Sequence, residues 1–308
     1  MPDLPSGLRA PTQRATLGFG YTQDMKSAAI ISKPSKPELS NILPELLSWF
    51  RKRGYRLFLD QETGGYTNGE KTVARDKIGE HHPDFALVLG GDGTLLSAAR
   101  AVGHDGIPIL AVNLGSLGFL TEVPLSEMYA TLEAVDAGQC PIEERAVLDC
   151  RLFRSIECTA HHFALNDVVV NKSAISRLMD FDLLINGAFV FNYKADGVII
   201  ATPTGSTAYS LAAGGPILMP SVNAVVVTPV CPHSLTHRPL VVTDKAQIEL
   251  RVETCGEEAF LSIDGQVGTP VRQGDRVVCQ RANHNVKLLR MRRTFFDVLR
   301  NKLKWGQR

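Results

Sequence analysis

The sequence predicts an α/β N-terminal domain built on a parallel, Rossmann-like sheet, then a β-rich, sandwich-like domain and a closing helix. Three observations carry this reading. From residue 28 to residue 135, short apolar runs alternate with segments of helical spacing, the pattern of βαβ units. From Ile142 onward the texture changes to strand after strand with turns between. Residues 294–305 then return to helical spacing, with Phe295, Leu299 and Leu303 on one side.

Taken in order, residues 1–24 are rich in Pro, Gly, Ser and Thr without periodicity and read as a disordered extension. Met25 is an alternative start of translation, and both readings stay open. Residues 28–32 form the first strand. Residues 39–50 form a helix, because Leu39, Ile42, Leu43, Leu46, Leu47 and Phe50 share one face and Gly54 stops it. Strands follow at 56–59, 86–89 and 107–112, with helices at 94–100 and 125–135. The β-rich part has strands at 146–154, 162–170, 179–185, 188–193, 197–201, 224–229, 247–252 and 260–263. Asn186-Gly187 between two of them is a hairpin signal. The expected divisions are 25–141, 142–290 and 291–308, with the last helix packing on the first domain.

Composition narrows the function. A chain of 308 residues, 44% hydrophobic and 21% charged, is globular, and its net charge of +1 argues against a nucleic-acid partner. The basic residues Arg290, Arg292, Arg293, Arg300, Lys302 and Lys304 read as a solvated face. No run approaches the roughly 18 apolar residues of a membrane helix, and no signal core precedes Met25, so a cytoplasmic location and no membrane are expected. Six cysteines show no CxxC pairing and no metal-ligand spacing with histidine, so no metal held by protein side chains is expected.

Two stretches carry chemistry. Gly90, Gly91, Asp92, Gly93 and Thr94 join a buried strand to a helix start, where unpaired N–H groups suit an anion. The turn lacks a Walker Lys-Ser or Lys-Thr pair and the GxGxxG spacing, leaving phosphate chemistry with one carboxylate and no P-loop lysine. The loop from Asn113 to Leu120 emerges at the same sheet edge and would wall the cleft. In the second stretch, a strand at 198–201 enters a turn crowded with Thr202, Thr204, Ser206 and Thr207. A short helix begins near Ser206 and is stopped by Gly214, Gly215 and Pro216. Its hydroxyls and N–H groups suit ribose, phosphate or a base edge, and Tyr209 adds a ring for stacking.

Gly90 to Thr94, Leu165-Asn166-Asp167, Asp196 to Pro216, and Thr228 to Leu235 with Arg238-Pro239-Leu240 resemble the successive motifs of the NAD kinase family, in order. The resemblance implies transfer of the γ-phosphoryl of ATP, or polyphosphate in some members, to the 2′-hydroxyl of the adenosine ribose of NAD. It implies Asp92 as proton acceptor and Gly93 against NAD. It further places Asn166, Asp167, Arg177, Lys194, Asp196, Thr207, Ala208, Tyr209, Ser210, Leu211, Ala212 and Gln266 at NAD. Magnesium would arrive on the ATP phosphates. A homodimer or homotetramer is implied, with residues crossing between subunits.

Ala212 stands where many bacterial relatives have Ser, and Lys194 where Arg is frequent; a cation there fits a preference for NAD over NADH. The competing readings are a lipid or sugar kinase sharing the Gly-Gly-Asp-Gly-Thr motif, and a catalytically silent NAD(P)-binding regulator.

Overall fold

The computed structural model describes residues 26–172, 178–254, 259–291 and 294–304. Its first part runs β1 (Ser27–Ser32), α1 (Leu39–Lys52), β2 (Arg56–Asp60), α2 (Gln61–Gly64), β3 (Thr72–Val73), β4 (Phe85–Gly90), α3 (Asp92–Val102), β5 (Ile109–Asn113), β6 (Val123–Pro124) and α4 (Met128–Asp136). The main strands are parallel in the order β5-β4-β1-β2-β3. Successive side chains of a strand point to opposite faces, so a strand covered on both sides is apolar throughout. Ala28 and Ile30 of β1 pack with Leu39, Leu43, Leu46 and Phe50 of α1. Ala29 and Ile31 face the other way, toward Leu95, Ala98 and Val102 of α3. Helices thus lie on both faces, and the strand order reverses between β1 and β4. The carboxyl ends of these strands border the crevice where open α/β sheets bind ligands.

The second part comprises β7 (Ile142–Arg154), β8 (Glu157–Ala164), β9 (Asp167–Lys172), β10 (Met179–Ile185), β11 (Ala188–Ala195), β12 (Gly197–Ala201), α5 (Tyr209–Ala212), β13 (Ala224–Val230), β14 (Leu240–Thr243), β15 (Ile248–Thr254), β16 (Ala259–Ile263), β17 (Val267–Val271), β18 (Arg276–Leu289) and α6 (Phe295–Leu303). An antiparallel six-stranded sheet, β14-β13-β12-β9-β16-β17, packs on β11-β10-β15-β18 with β7 and β8. Val168, Val170, Val198, Ile200 and Leu261 of one layer meet Leu148, Phe181, Leu183, Tyr193 and Leu250 of the other. This is the predicted α/β domain followed by a sandwich-like β domain. Strand β18 belongs to both parts: it pairs antiparallel with β7 and β15 and, through Leu288 opposite Ile109, parallel with β5. One sheet of twelve strands therefore runs through the molecule.

The hairpin turn at Asn186 (φ 52°) and Gly187 (φ 80°) has both central residues left-handed, as an Asn-Gly pair allows. Helix α6 opens with a capping box in which Thr294 accepts from the Asp297 N–H and Asp297 from that of Thr294. It buries Val298 and Leu299. With Ser116, Leu117 and Gly118 it borders a cleft of about 230 Å³, so the last helix does return to the first domain.

Three local expectations are corrected. Residues 162–170 are not one strand: β8 and β9 are separate, in different sheets, and the chain breaks at Leu165-Asn166. Helix α3 begins at Asp92 rather than Thr94, with Gly91 extended as its cap. Strands β14, β17 and β18 add to the predicted set, and the long β18 carries a polar stretch where its register to β7 shifts between Arg281 and Asn285. The expectations for residues 1–24, Met25, Arg177, Arg292, Arg293 and Trp305 lie outside the described residues.

Candidate active site

Strand β4 delivers Asp92 to the carboxyl edge of the sheet as the first residue of α3, where the positive end of the helix favours a negative charge. The loop after β5 wraps its carboxylate. Oδ2 accepts from the Phe119 N–H (2.9 Å); Oδ1 accepts from the N–H groups of Leu120 (3.2 Å) and Thr121 (3.0 Å) and from the Thr121 hydroxyl (2.8 Å). Gly118 is required here by contact, since a Cβ would lie 1.9 Å from Asp92 Oδ1. The loop expected to wall the cleft thus holds the candidate base itself.

A second cluster faces the first turn of α3. The Gln266 side chain donates to the Gly93 carbonyl (2.7 Å) and accepts from Arg100 of the same helix. Arg100 also reaches Asp264 Oδ2 (3.4 Å). The Asp264 carboxylate is buried and accepts the N–H groups of Asn166 (2.7 Å), Leu165 (3.2 Å) and Asp167 (3.2 Å). These three bonds take the backbone out of β8 and into β9, which is why the predicted strand breaks. Burial raises the Asp264 carboxyl above its ordinary value, opposed by those N–H groups and Arg100. Burial, then the Asp264 charge, push the Asp167 carboxyl up to about 7. The side-chain oxygen of Asn166 is buried with no hydrogen-bond partner among the described residues.

The turn after β12 closes this side. The Thr202 N–H bonds the Asn166 carbonyl (2.9 Å) and its hydroxyl that of Leu165 (2.6 Å). A Cβ on Gly205 would stand 2.0 Å from the Asn166 carbonyl oxygen, so only glycine permits this approach. The hydroxyls predicted to face a ligand largely hold the turn together. Ser206 bonds Pro203 and Leu218, Thr207 bonds the Thr204 carbonyl (3.2 Å), and Ser210 bonds Thr228 (2.8 Å) in the interior. Tyr209 and Ala212 are exposed, while Ala208 and Leu211 are half-buried. Below the turn, Arg145 reaches Thr204 (3.4 Å) and Glu143 (3.1 Å), and Arg290 binds Glu143 (2.8 Å), Glu122 and the Leu120 carbonyl (3.2 Å). This buried ion network ties the loop around Asp92 to the Thr204 turn.

The structure therefore assembles Asp92, Gly93, Gln266, Asn166, Asp167 and the 202–207 turn into one cleft wall. Lys194 and Asp196 stand elsewhere. Ala201 pairs with Asp167, but Gly197 pairs with Asn171 at the other end of β12, so Asp196 is about 16 Å away along the strand. There Asp196 pairs with Lys172 (2.9 Å), and exposed Lys194 lies 3.9 Å from Asp180. Arg100, Asp264, Arg145, Asn113 and Thr121 were not singled out individually in the sequence. The Asp264-Gly265 dipeptide, with Asp264 at φ 50°, is a turn signal that points to the position without its inward carboxylate. Among the described residues no group of three or more His, Cys, Asp or Glu could hold a metal ion, and no helix is long and apolar enough to cross a membrane.

Comparison with known proteins agrees with the fold. The family model of the ATP-NAD kinase N-terminal domain matches residues 28–140, and that of the C-terminal domain matches residues 165–291. The chain is 64% identical over 284 residues to an NAD kinase of Koribacter versatilis, covering 92% of this chain and 100% of that one. It is 51% identical over 285 residues to an NAD kinase of Acidobacterium capsulatum, with 92% and 100% covered. Among solved structures, yeast NADH kinase complexed with NADH is similar with a TM-score of 0.81 at 26% identity, covering 92% of this chain and 89% of that one. An NAD kinase from Archaeoglobus fulgidus in complex with ATP shares the fold, with a TM-score of 0.71 at 22% identity over 90% of this chain and 98% of that one. The chain belongs to the NAD kinase family.

Proposed function

We infer that this protein transfers the γ-phosphoryl group of ATP to the 2′-hydroxyl of the adenosine ribose of NAD, giving NADP, with Asp92 as the proton acceptor. The observation that carries the site assignment is the buried Asn166 oxygen, without a hydrogen-bond partner among the described residues, on the wall that also holds Gly93 through Gln266. A buried acceptor without a donor is costly, and an exocyclic amine of adenine supplies one. Gln266 ties that wall to Gly93, the neighbour of Asp92 in the first turn of α3, and so brings NAD bound there to the carboxylate. As the ribose oxygen bonds to phosphorus, its proton passes to the Asp92 carboxylate. The bond from the γ-phosphorus to the β,γ-bridging oxygen breaks, and its electron pair leaves with ADP.

Gly90, Gly91, Gly93 and Thr94 form the phosphate-facing turn, and magnesium enters as the ATP complex. Residues 25–141 carry the donor side and 142–290 the NAD side. Thr207, Ala208, Tyr209, Ser210, Leu211 and Ala212 continue that wall, with Tyr209 presenting its exposed ring and Ser210 anchoring the segment through Thr228. Lys194 and Asp196, at the opposite end of β12, and Arg177 contact NAD from a second copy in a homodimer or homotetramer working in the cytoplasm.

The test is an assay with ATP, magnesium and NAD in which NADP is read by an NADP-specific dehydrogenase. Wild type is expected to form NADP, and Asp92→Asn to lose at least about a thousandfold in kcat while still binding NAD. Near-full activity in Asp92→Asn removes it from the mechanism. Phosphorylation of a lipid or sugar without NADP overturns the substrate, and polyphosphate in place of ATP checks the donor.

A further inference from the structure

We propose that Asn113 and Thr121 are positioning residues for phosphoryl transfer, clamping one oxygen of Asp92 so that the other, Oδ2, meets the substrate hydroxyl. This rests on the assignment of Asp92 as the proton acceptor. The two carboxylate oxygens are not equivalent. A carboxylate oxygen offers about two lone-pair sites. Oδ1 already accepts three hydrogen bonds, from Leu120 N–H, Thr121 N–H and the Thr121 hydroxyl, and is saturated. Oδ2 accepts one among the described residues, from Phe119 N–H at 2.9 Å, and keeps a lone pair for the ribose proton.

The direction of the clamp is fixed by the groups behind it. Asn113 Oδ1 accepts from the Gly115 N–H (2.7 Å), which turns its amide nitrogen toward the Thr121 hydroxyl (2.7 Å) and the Ser116 carbonyl (3.0 Å). Having accepted from Asn113, the Thr121 hydroxyl donates its own proton to Asp92 Oδ1. An ionised carboxylate has no proton to give back. Thr121 is fully buried and Asn113 is 5% exposed, so water does not substitute for either group. The Gly118 N–H bonds the Thr121 carbonyl (3.1 Å) and closes the loop on itself, making the clamp rigid before substrate arrives. The proton transferred in the reaction goes to Oδ2, while the three donors on Oδ1 stay in place.

The experiment compares purified full-length Thr121→Val, Thr121→Ser, Asn113→Asp and Asp92→Asn in the NADP-forming assay, with KM for each substrate determined and NAD binding measured by calorimetry. Thr121→Val is expected to lower kcat about tenfold to a hundredfold, the kinetic equivalent of one hydrogen bond to a charged group. KM for NAD and for ATP should stay within about twofold, since the lost interaction orients the base and does not bind substrate. Thr121→Ser, which keeps the hydroxyl, should recover to within about threefold of wild type. Asn113→Asp, which replaces the donor by an acceptor, should lower kcat at least about tenfold and gives a second reading if Thr121→Val does not fold. Wild-type kcat in Thr121→Val, with Asp92→Asn inactive, overturns the clamp and leaves the base assignment standing. Equal impairment in the Val and Ser variants, or a change in KM alone, also overturns it. An active Asp92→Asn overturns the base assignment instead.

Discussion

Asp264→Asn is the perturbation that most directly tests how the cleft wall is built. The carboxylate is buried and serves four donors: Asn166 and Asp167 N–H on Oδ1, Leu165 N–H and Arg100 on Oδ2. Asparagine of the same shape keeps one carbonyl oxygen. If it takes the place of Oδ1, the new amide N–H₂ faces the Leu165 N–H and the Arg100 guanidinium, donor against donor. One buried backbone N–H without an acceptor costs about 1–3 kcal/mol, and two more bonds fall from charged to neutral strength. Against this, the buried charge and its repulsion of Asp167 disappear, which offsets part of the loss. The net destabilisation expected is about 2–3 kcal/mol, a large share of the 5–15 kcal/mol typical of a folded protein. Urea unfolding at pH 7, followed by tryptophan fluorescence, measures it, and NAD affinity should fall at least about tenfold because Asn166 and Asp167 lose their anchor. A change below about 1 kcal/mol with NAD affinity intact refutes the reasoning.

Asp167→Asn should change the pH dependence of stability. Its folded-state carboxyl lies at about 7, above the ordinary value of 3.8, so the folded protein holds a proton that the unfolded chain releases between those values. Wild-type stability therefore falls as pH rises through that window, and the penalty is complete above it. The variant should be more stable than wild type at pH 8 by on the order of 2–4 kcal/mol and indistinguishable near pH 4, read from urea midpoints at both pH values. Gly205→Ala places a Cβ 2.0 Å from the Asn166 carbonyl oxygen, whereas one on Gly268 meets nothing within 4 Å. The first should lose at least about 2 kcal/mol and most NADP formation, and the second under about 1 kcal/mol; equal thermal midpoints for the two would contradict the close packing of turn on strand.

The parts of this protein legible in its sequence are those set by local pattern. Strands β1, β4 and β5 have apolar middles, Ala28 to Ile31, Phe85 to Leu89 and Ile109 to Val112, because helices cover both faces, and α1 shows its buried stripe at Leu39, Leu43, Leu46 and Phe50. Asp92 and Asn166-Asp167 are visible because each sits in a short string with its own chemistry. Asp264 and Thr121 are different. The backbone donors to Asp264 lie 97 to 99 residues away and Asp92 lies 29 residues from Thr121, and an Asp-Gly turn or a threonine after a glycine loop has no local mark of an inward side chain. The same separation explains the break within residues 162–170, which is imposed by a carboxylate in the turn between β16 and β17. Strand β18 was hidden because its middle is polar where its register slips, although its ends bind both parts into one sheet. The consequence for the chemistry is specific. Asp92, Asn166 and the Thr204 turn are held at hydrogen-bond or ion-pair distance from behind by Thr121, Asp264, Arg100 and Arg145. Because tertiary contacts alone bring those supports together, their loss should separate orientation from binding, lowering kcat through Asp92 and affinity through Asn166 by independent routes.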